Sequence, residues 1–281
     1  MKNTYRINSI DLRIDGIKEI FIPLERTLKK LNIEFYLIGA LARDIITIVH
    51  KQDPFTATRD IDIAVMVLSN EEYEVLKKSL IEDENFVQDE KELYRLHCNG
   101  KIIDLLPFGK IESKERTVKL HGKDITTLSV LGLNEVFGFA NNVMIDDELQ
   151  FFVSSFPGLC ILKLIAYSER PDIRSKDILD INFIIEKYAD MNVEYICKNH
   201  ADIMDNDWNE NLSARVLGRD MGIILKNENE LKNKILDILD SSINDNEDSK
   251  IAQLMTSRKD TEENKLEVLK NLREGLVEFS L

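Results

Sequence analysis

The chain has 281 residues, 43% hydrophobic and 31% charged, with a formal net charge of −14. Those values exclude a disordered polymer, allow one large domain or two modest ones, and argue against a broad phosphate-neutralising surface for nucleic acid. No stretch reaches the length of a membrane span, and the opening segment MKNTYRINSIDLRIDGIKEI has neither the apolar run nor the cleavage site of a secretory leader.

In chain order, FYLIG (35–39) reads as a short buried strand ending in glycine. ALARDIITIVH follows with Leu41, Ile45 and Ile48 at helical spacing. A polar loop with Pro54 leads into the apolar strand RDIDIAVMVL, and NEEYEVLKKSLIE is an amphipathic helix for which Asn70 is the expected cap. Asn99-Gly100 stands between two apolar runs, so 92–98 and 101–108 are expected to pair as a hairpin. TVKLHG and LQFFVSS are further strands. Strands and helices mixed with a hairpin predict an α+β fold with a mixed sheet and flanking helices. Beyond SSFPG (154–158) the pattern turns helical, which places a boundary near 155, with an N-terminal unit 1–155 and a helical unit 156–281. INDNEDSK is expected as an exposed loop between helices. Cys98, Cys160 and Cys197 lie far apart with no CxxC, which fits packed thiols in a reducing cytoplasm.

Two acids one residue apart, Asp60 and Asp62, open the apolar strand. On a strand they share a face, while Ile61, Ile63 and Val65 share the other. A buried unpaired carboxylate is costly, so the pair needs a cation or must titrate, and hard oxygen ligands suit Mg²⁺. Asp104 lies inside a second apolar strand, KIIDLLPFG. If the two strands are neighbours, three carboxylates converge, the ligand set of a two-metal phosphoryl-transfer site. The alternatives are an ion pair of Asp60 and Asp62 with Arg59 or Arg43, and a hydrogen-bonded Asp104 near a strand end. Gly39 opens a helix after a strand, where free N–H groups and a bare Cα form an anion site.

Gly39-Ala40, Asp60-Ile61-Asp62 and Asp104 together resemble the signature of the DNA polymerase β-like nucleotidyltransferases. Lys163, Arg170, Lys176 and Asp177 in KLIAYSERPDIRSKDILDI resemble the Lys…Arg…Lys-Asp pattern of the AbiEii-like nucleotidyltransferases, among which are toxins of toxin–antitoxin systems. The resemblance spans about residues 33–190. Two departures stand out: Ala40 supplies no hydroxyl to the turn, and a loop at 51–58 lengthens the path from Gly39 to Asp60.

The resemblance implies transfer of a nucleoside monophosphate from an NTP to an acceptor hydroxyl, with two Mg²⁺ (or Mn²⁺) ions on Asp60, Asp62 and Asp104. It implies an RNA acceptor, the 3′ end of tRNA, and an antitoxin partner. A small-molecule acceptor of aminoglycoside type, a protein hydroxyl, and a non-catalytic scaffold are the alternatives. Gly39, Ala40, Arg43, Lys163, Arg170, Lys176 and Asp177 would bind nucleotide, the helical unit completing that site. Competing structural roles are a snorkelling Lys163, an Arg170 that caps its helix before Pro171, a salt bridge of Lys176 and Asp177 between helices, and an Arg43 paired to a site carboxylate. Lys110, Lys114, Arg116, Lys119 and Lys123 form a basic segment, either a solvated hairpin surface or a docking patch for RNA. There is no GxxxxGK[ST], GxGxxG or HExxH motif.

Overall fold

The computed structural model describes residues 4–12, 14, 16–55, 60–204, 208–245, 249–257 and 260–279. Arg59, residues 56–58 of the inserted loop and 246–248 of the late acidic run lie outside them. The chain divides into two compact units, Met1–Ser155 and Phe156–Leu281. Among the described residues no helix is long and apolar enough to cross a membrane.

The first unit runs β1 (Thr4–Ile7), a 3-10 turn (Ser9–Leu12), α1 (Ile17–Leu31), β2 (Phe35–Ile38), α2 (Gly39–Val49), β3 (Asp60–Met66) and α3 (Asn70–Glu84). It continues with β4 (Val87–Gln88), β5 (Arg95–Cys98), β6 (Lys101–Phe108), β7 (Thr117–His121), β8 (Ile125–Ser129), α4 (Leu133–Phe137), β9 (Asn141–Ile145) and β10 (Leu149–Val153). Eight strands form one mixed sheet in the order β1-β9-β10-β2-β3-β6-β5-β4, and β7 and β8 pair separately. The expected α+β architecture with a mixed sheet is therefore present. β2 and β3 are antiparallel, β3 and β6 parallel, and β6 and β5 antiparallel, so the strands that carry the aspartates lie side by side at the sheet's centre.

Local chemistry sets these elements. Ile61, Ile63 and Val65 on one face of β3 are buried, as is Ala64 on the other, so the strand is covered on both sides. The β5–β6 hairpin closes through Asn99 (φ 49°) and Gly100 (φ 73°), the two left-handed residues a two-residue turn of matching twist requires. Its first strand starts at Arg95, shorter than the expected 92–98, because residues 93–94 form a turn. The cap of α3 is Ser69, not Asn70. Ser69 is extended and its Oγ accepts from the Glu72 amide, while Glu72 reaches back to the N–H of Leu68 at 2.5 Å. α1 escapes the sequence pattern because Pro23 interrupts it, yet Ile17, Ile20, Phe21, Leu24 and Leu28 form one buried stripe.

The second unit is helical: α5 (Phe156–Glu169), α6 (Ser175–Met191), α7 (Val193–Asn199), α8 (Glu210–Leu225), α9 (Asn229–Asn244), α10 (Lys250–Met255) and α11 (Glu262–Phe279), with a 3-10 turn at Ala201–Ile203. α8 and α11 meet backbone to backbone: a Cβ on Gly218 would overlap the carbonyl of Leu272, and one on Gly275 the carbonyl of Arg215. Charged residues inside this unit are matched. Lys265, fully buried, reaches Glu210 at 2.7 Å, and Arg219 holds Asp202 at 2.7 Å and Glu278 at 2.6 Å.

Candidate active site

The three aspartates occupy one face of the central strands. Asp62 and Asp104 are register partners across β3 and β6, and Asp60, two residues before Asp62, is opposite Ile102. Register partners project to the same side, so Asp60, Asp62 and Asp104 line one acidic face. It deepens inward: Asp60 is exposed, Asp62 half-buried and Asp104 only 8% exposed.

Asp62 also sits opposite Ile38, the last residue of β2 before α2 begins at Gly39. Its carboxylate lies directly on Gly39. A Cβ at position 39 would stand 2.8 Å from Asp62 Cγ and overlap Oδ2. Gly39 has φ +70°, so both its backbone angle and its neighbour require glycine. Ile38 in the cap position has no acceptor for the first N–H groups of α2, and no acid occupies its first turn. Those amides, with Ala40 the second residue, are the donors an anionic ligand would meet.

Asp104, on the same face, leans toward β5. On β5, Arg95 is its register partner, and the guanidinium forks onto both oxygens, Nε to Oδ1 at 2.7 Å and Nη2 to Oδ2 at 2.9 Å. The hydrogen bond to Asp104 holds the Arg95 guanidinium above its ordinary pKa, and the charge of Asp60 adds to the effect. His97, on the same face of β5, is bound by Asp89 at 2.7 Å. Asp62 thus lies against Gly39 and Asp104 against Arg95. No three His, Cys, Asp or Glu side chains among the described residues are grouped to hold a metal ion. The donor chemistry nonetheless suits one: three carboxylates on one face are the hard oxygen set that Mg²⁺ or Mn²⁺ takes.

Arg43, fully buried on α2, gives Nε and Nη2 to Asp44 Oδ1 at 2.8 and 2.6 Å and lies over the Phe55 ring. In the basic segment, Lys110, Lys114, Lys119 and Lys123 are exposed, whereas Arg116 turns inward onto Glu112 and Glu135. Lys119 is on β7 of the β7–β8 hairpin, with Lys123 in its turn.

The remaining sequence candidates belong to the second unit. Lys163 on α5 is 7% exposed and bridges Asp177 Oδ1 at 2.8 Å and Asp180 Oδ2 at 2.6 Å on α6. Burial lowers the pKa of its ammonium, but the two carboxylates outweigh that and hold it above the ordinary lysine value. Arg170 and Lys176 are exposed. The Arg170 carbonyl accepts the N–H groups of Ile173 and Arg174, which turns the chain from α5 toward α6. Among the site's neighbours, sequence reasoning missed Arg95. The hairpin gave the signal: counting back from Asn99-Gly100 pairs residue 95 with 104.

No family model and no curated protein matches this chain. Solved structures similar to it include the antibiotic-resistance factor ANT(2'')-Ia, 12% identical, over 67% of this chain and 96% of that one, with a TM-score of 0.35. An antigenic nucleotidyltransferase-like protein from Paracoccidioides brasiliensis is 16% identical over 69% of this chain and 91% of its own, at a TM-score of 0.34. The Thermotoga maritima CCA-adding enzyme complexed with tRNA is 11% identical over 99% of this chain and 85% of its own, at 0.32. Similarity this loose leaves the functional reading to the chain's own residues.

Proposed function

We propose that the protein is a nucleotidyltransferase that moves a nucleoside monophosphate from an NTP to an acceptor hydroxyl. The observation that carries this reading is the register of β3 on β6, which sets Asp60, Asp62 and Asp104 on one face beside the helix that Gly39 opens. Asp60, Asp62 and Asp104 would hold the divalent ions, which when bound neutralise triphosphate charge and lower the pKa of the acceptor hydroxyl. The N–H groups at the start of α2 receive phosphate oxygens, and the bare Cα of Gly39 lets them approach. The acceptor oxygen bonds to the α-phosphorus as the bond from phosphorus to the bridging oxygen breaks. Pyrophosphate leaves with that oxygen, and the acceptor's proton passes to the Asp104 carboxylate.

The acceptor in this reading is RNA, with the exposed Lys110, Lys114, Lys119 and Lys123 as its docking charges, and the biological role is that of an AbiEii-like toxin restrained by an antitoxin. Incubation with labelled NTPs, Mg²⁺ and total RNA, beside an Asp62→Ala control, tests it. Label on RNA that depends on Asp62 supports it, and label on a small molecule or on protein moves the acceptor to that class. A second reading, a non-catalytic scaffold, is favoured by the arginine fork on Asp104 and by Ala40 in the turn. Absence of label on any acceptor, with no metal-dependent NTP binding, would establish the scaffold and sink the enzyme.

A further inference from the structure

Arg95 and a cation compete for Asp104. The guanidinium forks onto both of its oxygens, at 2.7 and 2.9 Å, and draws them toward β5. Each oxygen keeps a second lone pair, but a metal ion shared with Asp62 needs the carboxylate turned toward β3. Asp104 cannot simply be released. At 8% exposure an unpaired carboxylate would be strongly disfavoured, so whatever leaves must be replaced by positive charge. The fold permits that exchange on one side only. The backbones of β5 and β6 are pinned in register by the turn at Asn99-Gly100, but the Arg95 side chain is 27% exposed and has a long stem on which to swing. Arg95 also feels the charge of Asp60, at the exposed edge of the same patch.

Resting on the carboxylate site proposed above, we propose that Arg95 is an internal counter-ion that occupies the cation's place on Asp104 and must yield it when metal and nucleotide enter. Guanidinium exchanges for metal ion with the burial of Asp104 unchanged and no carboxylate left bare. The freed guanidinium stands on the strand next to the site, where an incoming triphosphate offers paired oxygens to its fork. Arg95 thus keeps the nucleotide-free protein a poor binder of metal and couples metal entry to the arrival of phosphate.

The test is Mn²⁺ binding by the nucleotide-free protein, followed by electron paramagnetic resonance, for wild type, Arg95→Gln, Arg95→Lys and Asp62→Asn. Arg95→Gln is expected to bind Mn²⁺ at least about ten-fold more tightly than wild type. Arg95→Lys, a point charge that cannot fork onto both oxygens, should fall between the two. Addition of an NTP should improve Mn²⁺ binding by wild type more than by Arg95→Gln. Equal or weaker binding by Arg95→Gln and Arg95→Lys, with binding still lost in Asp62→Asn, overturns the counter-ion role and leaves the carboxylate site standing. Mn²⁺ binding indifferent to both Arg95 and Asp62, or none in any protein, overturns the site and the counter-ion together. Should Arg95→Gln fail to fold, as circular dichroism would show, Arg95→Lys against wild type decides the matter by the same criterion.

Discussion

The carboxylate of Asp62 lies where the side chain of any residue other than glycine at position 39 would have to begin. Two constraints from different strands therefore fall on one residue: a φ of +70° where β2 turns into α2, and the carboxylate that β3 presses onto it. Gly39→Ala must move one or the other. The left-handed angle alone costs a residue with a Cβ about 1–2 kcal/mol, and displacing Asp62 spoils the patch it shares with Asp104. The expected result is a protein that folds with modestly reduced stability, read by thermal melting, yet loses at least about 100-fold in nucleotidyl transfer. Transfer within a few-fold of wild type would show that Asp62 does not need its perch on Gly39.

Asp146 supplies a pH dependence remote from the site. It accepts from the N–H of Ser9 at 2.9 Å, from Ser9 Oγ at 2.6 Å and from Lys18 at 2.8 Å, tying the end of β9 to the chain after β1. The Lys18 hydrogen bond, with those of Ser9, lowers its carboxyl to about 2. A carboxyl depressed on folding stabilises above its unfolded pKa of about 3.9, and that contribution fades as pH falls through the folded value. Asp146→Asn keeps the left-handed backbone (φ 52°) and removes the charge. The melting-temperature difference between wild type and Asp146→Asn should be steady from pH 7 to about pH 5 and close as pH approaches 2. A difference that persists unchanged at pH 2 would mean the charge on Asp146 is not what secures this edge.

Which features were legible in the sequence follows from how far apart their partners lie. The hairpin was readable because Asn99 and Gly100 are adjacent and admit one kind of turn; from that turn the opposition of Arg95 to Asp104 follows by counting. Sharing of a face by Asp60 and Asp62 needed only the two-residue period of a strand. The Asp62–Gly39 contact was out of reach, because nothing local specifies that β2 and β3 pair, or with what register. The cap of α3 was misplaced by one residue between two good capping types. Glu72, three residues after Ser69, decides for serine through its reach back to Leu68, while three residues after Asn70 stands Tyr73, which cannot reciprocate. Asp146 reads as one more acid in a polar stretch because the serine and lysine that give it purpose are more than a hundred residues earlier.

Lys163 separates a structural charge from a nucleotide contact. Its ammonium is buried against Asp177 and Asp180, and removing one member of such a cluster strands the others; for a buried pair the cost is about 3–5 kcal/mol. Lys163→Met keeps the length of the side chain and deletes the buried charge that Asp177 and Asp180 share, leaving Asp177 only the more distant, exposed Arg174 at 3.7 Å. Its melting temperature should drop markedly at neutral pH. Because the folded pKa of Lys163 is raised, its contribution is fully present below the unfolded value of about 10.4 and is lost only as pH rises through the folded one. The wild-type advantage should accordingly hold from pH 7 to about 10 and shrink in stronger alkali. Asp177→Asn with Asp180→Asn in the Lys163→Met background should recover much of the loss, since no uncompensated charge remains. An unchanged melting temperature together with weakened NTP binding would assign Lys163 to the nucleotide and overturn the structural role.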